Sequence, residues 1–387
     1  MESGQLRKLN LCYAGIQSLY WAGFAAIWAF LSVLLLYRGF SNSQIGTVSA
    51  LALLMPLAVQ PVLASLADRN RRFTSRRLAM ALTGLLPLCA VGLRREHGGD
   101  GGPVCAGGHL SDGHSPLPQC HGHGAAAAWR GPELRPEPGS RLRLLRRIGA
   151  GAGRGGGAVR PTAVLPVFAG EMLLLLLLTW RFRASPTMEA TAGSGPVLSV
   201  GQVLRRYPAY TWLLVGCALL MACHSATCTY MIHIVGKVGG SESMMGSALA
   251  VAAFLELPAM GLFSRVRRKV PLAWLLIFCA AFFVIRAGLF WAARSVPVLY
   301  LAAALDFFEY GIFIPATVYY VAEHIDPANQ VKGQSLMGMA TTGVGSAFGN
   351  FVSGQLLDRA GVSGMLLFCS ACAAVGLLVL IYAVRRK

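Results

Sequence analysis

Ionisable residues lie inside stretches of the chain that are otherwise apolar and long enough to cross a membrane. In the second half these include Arg286, Asp306, Glu309, Glu256 and His224. A charged side chain at the centre of a bilayer costs on the order of 2.5–3.5 kcal/mol. Such a cost is tolerated where the group faces a wet cavity and has a partner, so these residues indicate a path for a solute or a proton.

The acidic pair is the most specific of these features. Asp306 and Glu309 are spaced i and i+3 and are predicted to lie on one helix face. Two adjacent buried carboxylates repel, so we expect one to take up a proton while Arg286 keeps the other ionised. Reversible protonation of this kind is what proton coupling requires. The alternative is a structural salt bridge between Arg286 and Asp306 that joins two helices.

The other candidates each have a plainer interpretation. Glu256 precedes Pro258 by two residues near a basic loop, where its side chain can also reach the interface. His224 is either part of the path or a packed histidine. Tyr310 follows the acidic pair and offers a ring to a solute, although most aromatic residues in such stretches pack or anchor the interface.

Composition excludes most other classes of protein. Hydrophobic residues make up 55% of the chain and charged residues 13%, whereas soluble domains carry roughly 25% charged residues. The net charge of +18 comes from arginines between apolar segments rather than from one basic domain, so no nucleic-acid partner is expected. No zinc-protease helix, nucleophile elbow or phosphate loop is present, so we predict no enzyme activity, cofactor or metal.

The apolar segments predict membrane-spanning helices, each needing about 20 residues. Candidate spans are about 10–37, 43–66, 77–93, 163–180, 209–234, 242–264, 270–292, 296–322, 334–357 and 363–384. Basic residues concentrate in alternate loops, which predicts that both termini are cytoplasmic. We therefore expect a multi-pass protein of the inner or plasma membrane, surrounded by lipid and monomeric.

A stretch of the chain is repeated 200 positions later. Residues 39–57 align with 239–257 without a gap, with identities that include Gly39/Gly239 and Ser41/Ser241. Each copy follows a long apolar segment and precedes a basic cluster. Paired halves of this kind are typical of secondary transporters and argue against a membrane sensor or assembly protein.

The repeat predicts an all-α polytopic protein of nominally twelve helices in two six-helix halves. The N-terminal half is 1–180, the cytoplasmic linker 181–207 and the C-terminal half 208–387. Residues 94–160 do not read as helices, since they hold 17 glycines and ten arginines and no apolar run of spanning length. Three explanations stay open: a frameshifted stretch of a GC-rich gene, a disordered insertion, or a metal-binding segment. The last would use Cys105, His109, His114, Cys120, His121 and His123.

The loop after the second span carries a family motif. Residues 64–73 read ASLADRNRRF, and 261–269 read GLFSRVRRK. With the two-half pattern, this resembles the major facilitator superfamily, whose motif is G-x-hydrophobic-A-D-R-x-G-R-[KR]. The first copy keeps A-D-R and departs at Ala64, Arg71 and Phe73. The resemblance implies that Asp68, Arg69 and Arg72 form a cytoplasmic gate. The alternative is a topology signal from positive charge alone.

A finer resemblance comes from the second half. The segment 311–334, the arginine in the preceding span and the second-helix start are similar to the proton-symporter branch, which includes lactose permease and phenylpropionate permease. This implies proton-coupled uptake of a small organic solute by alternating access. The alternatives are a proton-coupled drug-type exporter and an inactive product of a frameshifted transporter gene.

Overall fold

The computed structural model describes residues 30–69, 164–181 and 198–386, with isolated positions at 15, 16, 19, 23, 28, 80, 83 and 84. All regular structure in these residues is helical. The window 94–160, the metal-binding alternative inside it and Arg72 lie outside the described residues. Asp68 and Arg69 fall within a described helix, but their side chains are not described.

The helices follow the apolar segments of the sequence. In chain order they are α1 (Asn42–Arg69), α2 (Val164–Arg181), α3 (Val200–Arg206), α4 (Pro208–Thr229), α5 (Met231–Lys237), α6 (Glu242–Arg267), α7 (Leu272–Ala292), α8 (Val296–Ala304), α9 (Tyr310–His324), α10 (Gln330–Gly338) and α11 (Ser346–Arg385). Six apolar helical stretches within the described ranges are long enough to cross a bilayer. The predicted all-α polytopic class is confirmed.

Two predicted spans are not continuous helices. The span 296–322 is interrupted after Ala304 by a 3₁₀ turn at Leu305–Phe307, and α9 begins only at Tyr310. Glu309 lies at the break with φ −84° and ψ −93°. The span 209–234 is broken at Tyr230. The i, i+3 spacing predicted that Asp306 and Glu309 share one face of a regular helix. This prediction is wrong, because the two residues lie on either side of a break in the helix.

The C-terminal spans join through a kink. Gly361 has φ +67°, a left-handed conformation that favours glycine, and it divides α11 at the boundary between the predicted spans 334–357 and 363–384. A seven-residue π-helix, Met339–Gly345, precedes α11. Pi-helical turns of this kind are rare and often lie near functional sites.

The contacts divide the chain into two compact units, and the described residues 41–50 and 198–386 belong to the second. Helices α4 and α11 form its core. An added Cβ at Gly349 would collide with the backbone of Ala222, and one at Gly345 would collide with that of Ala218. Small residues thus let the two backbones approach closely, as is common between membrane helices.

The first unit contains the described residues 30–40, 51–69 and 164–181. Within it, α2 buries Phe168, Met172 and Leu175, which are spaced along one helix face. Gly23 lies against Phe168 and Met172. The boundaries at 180 and 207 stay a prediction.

Large apolar side chains cover the outer surface. Trp274 and Leu378 are each 65% exposed, and Leu367 is 61% exposed. A water-soluble protein rarely exposes so much apolar surface, whereas lipid covers such a surface at no cost. The exposure pattern therefore agrees with a membrane location.

The repeated stretch adopts the same local structure twice. Gly39 and Gly239 have positive φ values of 84° and 75°, and each lies three residues before the first residue of a long helix. The amide of Phe40 donates to the carbonyl of Leu35, and that of Gly240 donates to that of Val235. Both pairs close the preceding helix in the same six-residue motif. The duplication is therefore structural as well as sequential.

The packing of α4 on α11 predicts the effect of a single methyl group. Gly349→Ala should lower the thermal unfolding temperature in detergent, because overpacking costs about 1–3 kcal/mol and the neighbour is backbone. Gly338→Ala is the matched control, since its added Cβ has open space around it. Equal unfolding temperatures for the two variants would contradict this account of the helix contact.

Candidate functional site

Arg286 is the centre of the buried charged site. Its side chain leaves α7 and is 2% exposed. One guanidinium nitrogen, Nη1, donates to both oxygens of Glu309, at 3.0 and 3.1 Å. The same nitrogen lies 3.1 Å from Oδ1 of Asp306. A single cation is therefore shared by two carboxylates.

The break between α8 and α9 brings those carboxylates together. Asp306 lies in the 3₁₀ turn and Glu309 at the start of α9, and they are 2% and 1% exposed. Gly311 follows the break, and its added Cβ would lie 2.6 Å from the Cβ of Ala259. The glycine thus allows α9 to begin against α6. The predicted Arg286–Asp306 pair is present, and Glu309 joins it.

His224 completes the site from α4. Its Nδ1 lies 3.1 Å from Oε1 of Glu309, and its Nε2 lies 3.7 Å from the thiol sulfur of Cys228. An ionised Glu309 carboxylate can only accept hydrogen bonds. The consistent tautomer of His224 therefore carries its proton on Nδ1 and donates it to Glu309. Nε2 is then free to accept from the thiol. His224 therefore lies within the buried charged site.

Tyr310 and Glu256 form the edge of the site. The Tyr310 ring stacks on the imidazole of His224, with centroids 4.4 Å apart and planes 6° from parallel. Glu256 on α6 is half-buried, and its carboxyl interacts with that of Asp306. The structure therefore brings together all six residues that the sequence singled out. Cys228 is an addition, and only its i+4 spacing from His224 pointed to it.

The guanidinium of Arg286 has hydrogen-bond donors that are not satisfied. Within the described part of the chain, its Nε and Nη2 atoms have no hydrogen-bond partner. The Phe290 ring lies 5.1 Å below the guanidinium carbon and supplies a cation–π contact. All of its polar contacts are therefore on the Nη1 side.

The acidic groups around Arg286 also resemble a cation site. Ligand atoms of His224, Asp306 and Glu309 lie within 4.8 Å of one another, a geometry that can hold a metal ion. The Nη1 atom lies 3.0–3.3 Å from one atom of each group, so the arginine takes the place of the ion.

The basic loop of the second half contains an ion pair that sequence reasoning missed. Nη2 of Arg267, at the end of α6, donates to both carboxylate oxygens of Glu323 on α9, at 2.7 and 2.8 Å. This copy of the loop motif lacks its aspartate, and an acid 56 residues away supplies the charge. The first-half gate residues Asp68, Arg69 and Arg72 lie outside the described side chains, so their role stays a prediction.

Comparison with known proteins identifies the family of this chain. The chain matches the MFS_1 like family over residues 157–369, which is more than half of its length. It is 27% identical over 175 residues to a maltose permease of Geobacillus stearothermophilus, an alignment that covers 45% of this chain and 44% of the permease. It is 23% identical over 180 residues to a putative sugar efflux transporter of Deinococcus radiodurans, covering 46% of each. The alignments thus span less than half the length of these relatives.

A solved structure agrees on the fold. The nucleoside transporter NupG superposes with a TM-score of 0.72 at 13% sequence identity, covering 97% of this chain and 99% of that one. At this level of identity the similarity concerns the fold alone.

The fold and the buried charges define a polytopic membrane protein of the major facilitator type. The chain belongs to the MFS_1 like family. The prediction that it is not an enzyme is confirmed by the comparisons, in which the similar proteins are all transporters.

The shared guanidinium predicts an asymmetric response to substitution. Arg286→Gln should destabilise the protein by about 3–5 kcal/mol, because it leaves two buried carboxylates without a cation. Arg286→Gln combined with Asp306→Asn removes one charge of each sign and should recover much of that loss. Thermal unfolding in detergent measures both variants. A double variant no more stable than the single one would show that charge balance does not hold the site together.

Proposed function

We propose that this protein is a proton-coupled secondary transporter of a small polyhydroxylated solute, a sugar or a nucleoside, working by alternating access. Family membership and the paired helix starts support the carrier mechanism. The observation that carries the coupling is one buried guanidinium shared by two carboxylates.

The charges of the cluster give a reason for it to bind a proton. With both carboxylates ionised and His224 neutral, the cluster holds one positive and two negative charges in a buried site. An uncompensated charge at this depth is costly, and one bound proton removes it. The cluster is thus built to exchange a proton between two states of the carrier.

The proton has an entrance at the edge of the cluster. The carboxylates of Asp306 and Glu309 and the guanidinium are almost fully buried, whereas Glu256 is half-buried and the side chain of His224 is 12% exposed. Glu256 contacts Asp306, and His224 contacts Glu309. We infer that these two groups pass the proton between water and the buried pair.

The available energy is sufficient for uptake. A proton that moves down a potential of 100 mV releases roughly 2.3 kcal/mol. At 1.4 kcal/mol per factor of ten, this supports about fifty-fold accumulation of a neutral solute.

The solute class is proposed from the similar proteins, whose names specify maltose, sugars and nucleosides. The stacked rings of His224 and Tyr310 lie beside the charges and offer an aromatic face to a sugar or a base. The second candidate is export, because one relative is described as an efflux transporter. We place the protein in the inner or plasma membrane with both termini in the cytoplasm, and the gate at Asp68, Arg69 and Arg72.

Neutralising either carboxylate should separate coupling from transport. In proteoliposomes with an imposed pH gradient, Asp306→Asn and Glu309→Gln should reduce uphill accumulation by tenfold or more. Solute exchange at equal concentrations should stay within about twofold of wild type, because each variant leaves Arg286 one carboxylate partner. Asp326→Asn, which removes an exposed carboxylate near Arg206, is the control. Accumulation that survives both site variants would exclude this pair as the coupling group.

A panel of solutes tests the substrate class and the direction. Sugars, nucleosides and aromatic acids are offered to proteoliposomes of sorted orientation, with an inward and then an outward proton gradient. Sugars or nucleosides should accumulate when solute and proton enter from the same side. Accumulation against the direction of proton flow would favour the exporter, and transport of aromatic acids alone would refute the proposed solute.

A further inference from the structure

A carboxylate of the second half holds the start of a first-half helix. Asp358 lies on α11 three residues before the kink at Gly361, and its carboxylate accepts three hydrogen bonds from the first turn of α1. The donors are Nδ2 of Asn42 at 2.8 Å, the amide of Ser43 at 2.7 Å and the hydroxyl of Ser43 at 2.6 Å. More than 300 residues of chain separate the partners.

The contact is electrostatically favourable. The first amides of a helix have no partner within the helix, and its aligned dipoles give the N-terminus a partial positive charge. A carboxylate that accepts from such an amide makes a short, charge-assisted hydrogen bond. Asp358 makes this bond and adds two side-chain contacts.

Helix α1 does not need Asp358 to begin. The hydroxyl of Ser41 accepts from the amide of Gln44 at 3.2 Å, and the side chain of Gln44 accepts from the amide of Ser41 at 2.9 Å. This reciprocal pair caps the helix from within its own sequence. The distant carboxylate is therefore a link between two parts of the chain rather than a requirement of the helix.

Below this link the two helices touch along their backbones. An added Cβ at Gly46 would lie 2.6 Å from the carbonyl oxygen of Asn350, and one at Gly354 would collide with the carbonyl of Asn42. The hydroxyl of Tyr230 donates to Asn350 O at 3.1 Å and to Asn42 O at 3.3 Å. The contact between α1 and α11 is thus formed by two glycines and one shared hydroxyl.

Polar groups in or near this contact are left without partners. Among the described residues, Oδ1 of Asn42, Oγ of Ser49 and Nδ2 of Asn350 are buried and make no hydrogen bond. Each such group costs about 1–3 kcal/mol, which a permanent core would avoid. Water would satisfy all three groups if the helices separated. The interface is therefore better suited to opening than a packed apolar one.

Within the described part of the chain, no distant carboxylate accepts a hydrogen bond from the helix start of the second copy. Position 242 corresponds to Asn42 by the offset of 200, and it holds Glu242, an exposed acid in the first turn of α6. An acid in this position supplies negative charge from within the helix. The negative charge at the helix start thus comes from the distant Asp358 in the first copy and from Glu242 of the helix itself in the second.

We propose that Asp358 is a latch that closes the carrier at the end opposite its basic loops, by holding the first turn of α1 against α11. Gly46 and Gly354 form the seam behind the latch, and release of the carboxylate lets water and solute enter between the two helices. The proposal rests on the alternating-access function proposed above. By the distribution of basic residues, this end faces the outside.

Thiol labelling tests the latch without any need for transport. Ser49→Cys places a thiol at a buried position of α1 three residues after Gly46, and its reaction with a membrane-impermeant maleimide is followed by peptide mass spectrometry. Adding Asp358→Asn or Asp358→Ala should speed labelling at position 49 threefold to tenfold. Adding Glu242→Gln, which removes the same charge at the other helix start, should leave the rate unchanged. Unchanged rates in both Asp358 variants, with thermal unfolding near that of wild type, would overturn the latch.

A covalent latch tests its part in the cycle. Ser43→Cys with Asp358→Cys is treated with a short bifunctional methanethiosulfonate, which a reductant removes. Cross-linking should reduce solute exchange tenfold or more, and reduction should restore it, whereas the reagent should not change the exchange rate of either single-cysteine variant. Exchange that continues in the cross-linked protein would refute the latch. A wild-type chain that moves no solute would instead refute the proposed function, and the labelling result would still decide on Asp358.

Discussion

The structure of the second unit depends on how one buried arginine is neutralised. Arg286 is buried in α7, where an isolated charge would be strongly unfavourable. Its guanidinium is paired with two carboxylates rather than with one. Two carboxylates from the α8–α9 break converge on the same nitrogen, and a histidine from α4 donates to one of them. Four helical segments therefore meet around one cation, and removing the arginine would leave two buried carboxylates without a positive partner.

The same requirement accounts for the irregular backbone at 305–309. A continuous helix would direct residues i and i+3 to one face but at different heights along its axis. The 3₁₀ turn and the unusual ψ of Glu309 bring both carboxylates to one atom instead. Breaks of this kind in membrane helices are tolerated where neighbouring groups satisfy the freed backbone, and they often mark binding sites.

Sequence reasoning identified most of the site but less of its geometry. Arg286, Asp306 and Glu309 were identifiable because charge at bilayer depth is rare, and the helix starts at 42 and 242 because a glycine pattern repeats. The break at Glu309 was not foreseen, since apolar content is the same on both sides of it. The Arg267–Glu323 and Asp358–Ser43 contacts also escaped, because pairing between distant segments is decided by packing and not by local pattern.

Helix α4 connects the charged site to the other end of the unit. His224 contacts Glu309, and the next residue, Ser225, donates to the side chain of Asn350 at 3.1 Å. Six residues after His224, at the break that ends α4, Tyr230 bridges Asn350 and Asn42. The residue directly after the helix that carries His224 therefore supplies the hydroxyl of the glycine seam. Under the proposed function, we expect a shift of His224 away from Glu309 to displace Tyr230 relative to α1 and α11, because Tyr230 directly follows α4. We therefore infer that proton binding at the cluster and separation of the two helices are linked through this segment.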